Sequence, residues 1–487
     1  MKRKLSYSIV LIGCCIILYA CKHKPIQVSP ADEYGNFPVE VGKIIVNKCA
    51  TAGCHNAASY INSGGLLLDS WDHLFNGGNS GAVVVPYSID YSSLLYFINP
   101  DSSLGITAEP RMPLNNTPLT EEEYITIRDW IASGAPDDKG SIPFADKADT
   151  RQKIYAIHQG CDEIAVIDVE RNVVMRYVQI GIKPYPESAT YIRIDKEGRY
   201  AYVSMWYDQR IYKIDTRTDK VIGFIDMGDL FWNVLQFSKD GQKIVVTNGD
   251  NFDLMQINTV TSQTQKLTNN DFINPHGVAS NASFDTFYVA SMFGNTVYKF
   301  AQGYNKKISI DKLPLTTITG ATPDPYDIIM SPDYSKYFIS CAKSGEIRIL
   351  DAKTDSIKKI IPVGAEPQAM VLSKNEPYLF VCCMEDNTVG AGFRGSVYVI
   401  NYNTLEVVKK IQGKFFQPHS ITVDEKNKIF YIFSRNQNYD GPAPHHQGPC
   451  SGRNGFYSIY NLNTLEPVNN KRYEVLVDPY MCDSRFK

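Results

Sequence analysis

Cys49, Cys54 and His55 stand within seven residues of one another in the stretch VNKCATAGCHNA. Two thiols beside an imidazole suit three chemistries: a disulfide, a zinc site, or covalent attachment of a haem. A Cys49–Cys54 disulfide leaves His55 without a role. Zinc wants four ligands and usually a second, matching pair, yet residues 36–138 contain no further cysteine. A haem uses all three groups: the thiols add to the two vinyl groups on one porphyrin edge, and the adjacent imidazole lies under the iron. Cys-x4-Cys-His is a widened form of the Cys-x-x-Cys-His attachment signal, and its longer spacer can bulge out while both sulfurs stay on one edge. Downstream, in EPRMPLNNTPLT, Met112 lies between Pro110 and Pro113, in backbone that proline keeps out of helical register. There it is either a gap filler or a second axial ligand; a His/Met pair raises the reduction potential and suits electron transfer.

These groups need elements to hold them. VEVGKIIVNKC puts Val41, Ile44 and Ile45 on one helical face that runs directly into Cys49. LTEEEYITIRDWIASGA opens with a capping box, Thr120 and Glu123. It then carries an apolar stripe of Tyr124, Ile127, Trp130 and Ile131, and ends at Gly134. Two helices therefore bracket a loop-rich middle, with the cysteine pair at its start and Met112 near its end.

Residues 36–138 as a whole resemble a bacterial c-type cytochrome domain of the wide-spacing kind, through CATAGCHN, GGLLL, SSLLYFI, RMPL and IRDWIASGAP. The resemblance implies a small all-α fold with one covalent haem c. It carries the attachment role to Cys49 and Cys54, the proximal ligand to His55 and the distal ligand to Met112. His73, the one other histidine of this stretch, reads as a surface residue.

Residues 139–150 are polar, with Gly and Pro, and read as a linker. Residues 151–487 then change to short alternating strands. IRIDKEGRYAYVSMW, LQFSKDGQKIVVTNG, VASNASFDTFYVASM, IIMSPDYSKYFISCA, MVLSKNEPYLFVCCM and ITVDEKNKIFYIFSR share one plan: strand, polar turn, apolar strand. A third strand follows each, as in EIRILDAKT and SVYVINYNT, and the period of about 45 residues belongs to propellers. The repeats resemble the bacterial YVTN-type propeller family, most closely in SPDYSKYFIS and GEIRILDAKT. A partial unit, KIYAIHQGCDEIAVIDVERN, opens the array, and YEVLVDP is expected to supply its missing strand and close the ring. The expected fold is thus a small all-α cytochrome c domain followed by an all-β seven-bladed propeller.

His276 in NPHGVAS and His419 in QPHSITV occupy the same phase of two blades, where an innermost strand begins beside the central channel. They could converge on a metal, a second haem or a proton relay, or simply pack. Other blades carry Glu187, Trp232, Tyr326 and Gln368 near this phase, so no symmetric ligand ring is expected. The insertion NQNYDGPAPHHQGPCSGRNG brings His445, His446, Cys450 and Arg453 into the last blade, as a functional loop or as loop packing. Cys450 is expected to pair with Cys482, whereas Cys382 and Cys383 point to opposite faces of one strand.

The N-terminus bears on where this chemistry takes place. Lys2, Arg3 and Lys4 precede the run SIVLIGCCIIL, which is shorter than the roughly 20 residues of a spanning helix. The pattern is a secretory signal over residues 1–20. Leu18-Tyr19-Ala20-Cys21 resembles a lipobox, which implies lipid on Cys21, a tether over residues 21–35, and a cell-envelope lipoprotein, periplasmic or at the outer membrane. Eleven cysteines less Cys14, Cys15 and Cys21 leave eight in an oxidising compartment. A net charge of -3 with 21% charged residues gives no sign of a nucleic-acid partner.

Three functions fit. The first is electron transfer to an unidentified redox partner protein, with the propeller as docking platform. The second is an oxidoreductase that holds substrate or another cofactor on the propeller. Its outline is similar to the d-type-haem nitrite reductases, although KPYPESATYIRID lacks the histidine those enzymes place in an early blade. The third is a binding module with a non-catalytic haem.

Overall fold

The computed structural model describes residues 33–268, 272–310, 322–387, 390 and 392–486. The signal stretch 1–20, the lipidation candidate Cys21 and most of the tether lie outside the described residues.

The N-terminal part is helical. Helix α1 (Val39–Lys48) buries Val41, Ile44 and Ile45, the face its spacing selects, and ends with Cys49 as its C-cap. Two short helices, α2 (Trp71–Leu74) and α3 (Ser93–Ile98), interrupt the middle that reads as loop from sequence. Helix α4 (Glu121–Ala132) begins with the capping box: the Glu123 N–H donates to Thr120 Oγ1 at 3.2 Å, and the Thr120 N–H donates to Glu123 Oε2 at 2.8 Å. Tyr124, Ile127, Trp130 and Ile131 are its buried face. Gly134 follows at φ +103°, where a Cβ would strike the Tyr87 ring. Lys48 donates to Glu123 at 2.6 Å, so the cysteine end of α1 is fixed to the start of α4.

The rest is a seven-bladed β-propeller. Seven antiparallel sheets, each of four strands, form the blades. Blade 2 shows the pattern: Ala189–Ile194 innermost, then Tyr200–Met205, Arg210–Asp215 and Lys220–Asp226. Blade 1 is composite. Its innermost strand is Pro479–Arg485, from the far end of the chain, paired antiparallel with Lys153–His158. This corrects the expectation that YEVLVDP closes the ring: Tyr473–Val477 is instead the outer strand of blade 7, paired with Asn454–Asn461. Closure leaves no blade without a neighbour, which protects strand edges.

The closing strand is held by more than its ladder. Arg485, 1% exposed, donates to the carbonyls of Ala148 (2.8 Å) and Thr216 (3.0 Å) and also to that of Asp149. Beside it, buried Lys153 pairs with Asp219 at 2.8 Å, joining blade 1 to blade 2. On the other side of blade 1, a disulfide joins Cys161 to Cys450 in the blade 7 insertion, across the seam between blades 7 and 1. The expected Cys450–Cys482 bond is therefore corrected: Cys482 faces the interior of the closing strand as a buried free thiol.

The helical part sits on this seam. Arg171 donates to Asp72 at 2.8 Å, the Tyr91 hydroxyl to Glu163 at 3.1 Å, and the Glu474 N–H to the Ser80 carbonyl at 2.8 Å. His445 and His446 pack against Phe97 and Tyr96, with ring centroids 4.9 and 5.4 Å apart.

A disulfide that closes a loop of 289 residues restricts the unfolded chain strongly. Replacing both Cys161 and Cys450 by Ser is expected to lower the unfolding free energy by about 2–4 kcal/mol. Denaturant titration with and without reductant checks this: reductant destabilises the wild type and leaves the variant unchanged.

Candidate functional site

The Cys-Cys-His stretch forms a tight knot at the end of α1. The Cys49 N–H donates to the Ile45 carbonyl, and the His55 N–H closes back onto the Cys49 carbonyl at 3.1 Å. Gly53, at φ +83° with nothing near its missing Cβ, supplies the reversal that the longer spacer needs. Neither sulfur is paired: Cys49 is buried and Cys54 half-buried, both as free thiols. Burial, then the neighbouring Cys54 sulfur, pushes the Cys49 thiol up to about 12.

His55 is half-buried, and its Nδ1 lies 3.0 Å from the Leu66 carbonyl oxygen. A carbonyl only accepts, so Nδ1 carries the proton and Nε2 is left with its lone pair. The Leu68 N–H donates to the His55 carbonyl at 2.9 Å, so the segment through Leu66 is tied to the histidine at both ends. Met112 is half-buried against the core, and its N–H donates to the Phe97 carbonyl at 2.7 Å. Large apolar side chains stand exposed in the segments next to these groups: Ile61 at 72%, Ile106 at 41% and Leu114 at 53%. His73 is on the surface, bonded to Asp69 at 2.6 Å. Among the described residues no three of His, Cys, Asp and Glu converge as they would around a metal ion.

The propeller channel gathers a second group. His276 and His419 both lie on innermost strands and line one cavity with Tyr191, Tyr326, Tyr480 and Met481. The His276 Nδ1–H donates to the Tyr326 carbonyl at 2.9 Å and its ring lies 4.0 Å from that of Tyr326. His419 repeats the contact at the junction of blades 7 and 1, with the Tyr480 carbonyl at 2.6 Å and a stacked ring at 4.0 Å. The two tyrosine hydroxyls meet at 2.7 Å. The His419 Nε2 is buried without a hydrogen-bond partner among the described residues. The cavity measures about 10 Å³, room for one water-sized species.

Register and backbone define the phase of this ring. The residue before each innermost strand is left-handed: Ser188, Phe231, Asn274, Asp324, Glu366, Gln417 and Asp478. The second residue after it is Thr190, Asn233, His276, Tyr326, Gln368, His419 or Tyr480. Glu187 and Trp232 are therefore not at this phase, a correction to the sequence reading. Glu187 instead turns aside to accept from the N–H groups of Ile182 and Lys183. Sequence reading missed Tyr480, although Asp478-Pro479-Tyr480 repeats Asp324-Pro325-Tyr326 and the signal was there to find.

No known family profile matches the chain. Antigen Lp49 of Leptospira interrogans serogroup Icterohaemorrhagiae serovar copenhageni (strain Fiocruz L1-130) is 23% identical over 242 residues, 48% of this chain and 52% of that protein. The chain thus spans about half the length of this relative. Among solved structures, a functionally unknown protein from Desulfotomaculum acetoxidans DSM 771 superposes with a TM-score of 0.50 at 13% identity, over 69% of this chain and 99% of that one. At that identity the likeness is one of fold, the propeller.

Burial drives His276 down to about 4, below the ordinary value of about 6.5. The neutral ring's contribution to stability is therefore whole above pH 6.5 and is lost as the pH falls from 6.5 toward 4, where the unfolded chain binds a proton that the native chain refuses. Relative to H276Q, the wild type is expected to lose roughly 3 kcal/mol across that window. Unfolding titrations of both proteins at stepped pH check this; parallel profiles would contradict it.

Proposed function

We propose that the chain is a c-type cytochrome that acts in electron transfer, with one covalent haem held by the helical part and the propeller as a docking platform. The observation that carries this reading is the state of the Cys-Cys-His knot: two unpaired thiols beside an imidazole whose Nδ1 is already bonded to Leu66, so that Nε2 is free to bind a metal. The donor set fits the group. A haem c is held by two thiols and by neutral donors to its iron; Cys49 and Cys54 would supply the former, and His55 and Met112 the latter. A bond from the far nitrogen of a ligand imidazole to a carbonyl, as from His55 to Leu66, fixes ring orientation and raises donor strength. Ile61, Ile106 and Leu114, exposed in the flanking segments, are apolar surface of the kind a porphyrin would cover.

When bound, a haem supplies a one-electron iron couple. The chain's part is to set that couple's potential and keep the ligands in place. Lys48 and Glu123 fix the cysteine end of α1. The Phe97 carbonyl holds the backbone of Met112. Export with a lipid on Cys21 belongs to the same reading, because c-type attachment and the Cys161–Cys450 disulfide both suit an envelope compartment. No helix among the described residues is long and apolar enough to cross a membrane.

Met112→Ala, matured in a host that attaches haem c, is expected to retain the covalent haem and to lower its midpoint potential, because the thioether favours the reduced iron. Redox potentiometry reads the shift. An unchanged potential would remove Met112 from the ligand set. In parallel, Cys54→Ala should leave a haem attached through Cys49 alone, which intact mass and haem staining distinguish from the wild type.

A further inference from the structure

A cleft of about 610 Å³ opens where the blade 7 outer strand, its insertion and the helical part meet. It is lined by Asn79 and Ser80 of the helical part and by Lys414, Lys471, Arg472 and Glu474 of the propeller. The volume falls within the roughly 300–1,000 Å³ of small-molecule sites, and the position between two structural units is a common one for such sites.

The charges of this cleft do not balance. Lys414, Lys471 and Arg472 are each half-buried, and among the described residues none makes an ion pair. Arg472 lies over the Phe393 and Phe456 rings, 5.6 Å from each centroid, and Lys471 lies 5.9 Å from the Tyr473 ring. Burial pulls the Arg472 guanidinium down from its usual value. The one carboxylate lining the cleft, Glu474, is already engaged: Oε1 accepts from Asn454 at 2.7 Å and Oε2 from the His445 N–H at 2.7 Å. Three cations against one carboxylate leave two positive charges facing a partly desolvated space. A guanidinium that lies over aromatic rings and has no carboxylate partner among the described residues suits a planar, bidentate oxyanion, which is how Arg recognises carboxylates.

We propose that this cleft binds an organic anion bearing two carboxylates, taken from solution or from an acidic saccharide. The site is independent of the haem reading, since none of its residues belongs to the Cys49, Cys54, His55 and Met112 set.

Isothermal titration calorimetry on the full chain tests this with two probes, succinate and digalacturonate. One site per chain is expected for at least one of them. Binding of both identifies a compact dicarboxylate as sufficient; binding of digalacturonate alone identifies an acidic saccharide. Lys471→Ala is expected to weaken binding about tenfold, the loss typical of one charge-assisted contact. Arg472→Lys, which keeps the charge but not the fork, should also weaken it. Lys343→Ala, on an exposed residue outside the cleft, should leave it unchanged. Absence of binding for both probes at millimolar concentration, or binding unaffected by Lys471→Ala in a protein with wild-type circular dichroism, overturns the proposal.

Discussion

The pairing of Pro479–Arg485 with Lys153–His158 is the contact on which the rest of the molecule depends. A propeller is a ring, and a ring built from one chain must be closed by strands distant in sequence. Loop-closure entropy makes that junction the costliest to form. The molecule answers with several constraints on blade 1: the strand ladder, the buried Arg485 that reaches three carbonyls, the Lys153–Asp219 pair toward blade 2, and the Cys161–Cys450 disulfide toward blade 7. Buried ion pairs offset their own desolvation only when well bonded. Here the Thr216 carbonyl accepts from Lys153, Tyr155 and Arg485 together.

The same seam positions both chemical regions. The closing strand places Tyr480 against His419, so the channel cavity exists only in the closed ring. On the outer side, the blade 7 insertion, held by Cys450, sets His445 on Phe97, whose carbonyl in turn holds Met112. The methionine loop of the helical part is thus one packed residue away from the propeller loop that closes the ring.

Much of this was legible in the residues. Apolar spacing gives α1 and α4 with their buried faces, because a helix with Val41, Ile44 and Ile45 on one stripe has one sensible way to pack. The blade repeats are equally plain, since each blade restates the same alternation between polar turns. Misreadings came where local pattern and global demand part. YEVLV reads as a better strand than YMCDSR, so the closing role fell to it, although the polar residues of the true closing strand are those that bond across the seam. Cys161 gave no sign of its partner, because the disulfide joins positions 289 residues apart that only the ring brings together. Blades 2 and 3 lack the proline that marks the phase in the other five, which misplaced Glu187 and Trp232. The Cys-Cys-His knot is legible only as a donor set: type and spacing suggest a chemistry, and the Leu66 carbonyl that fixes the His55 tautomer is visible only in three dimensions.

Whether Cys49, Cys54 and His55 form the proposed covalent attachment site is read from a pyridine haemochrome spectrum of full-length protein matured with a c-type attachment system. One thioether-linked haem per chain is expected, lost when Cys49 and Cys54 are both replaced by Ala. A folded protein that carries no covalent haem under those conditions would contradict it.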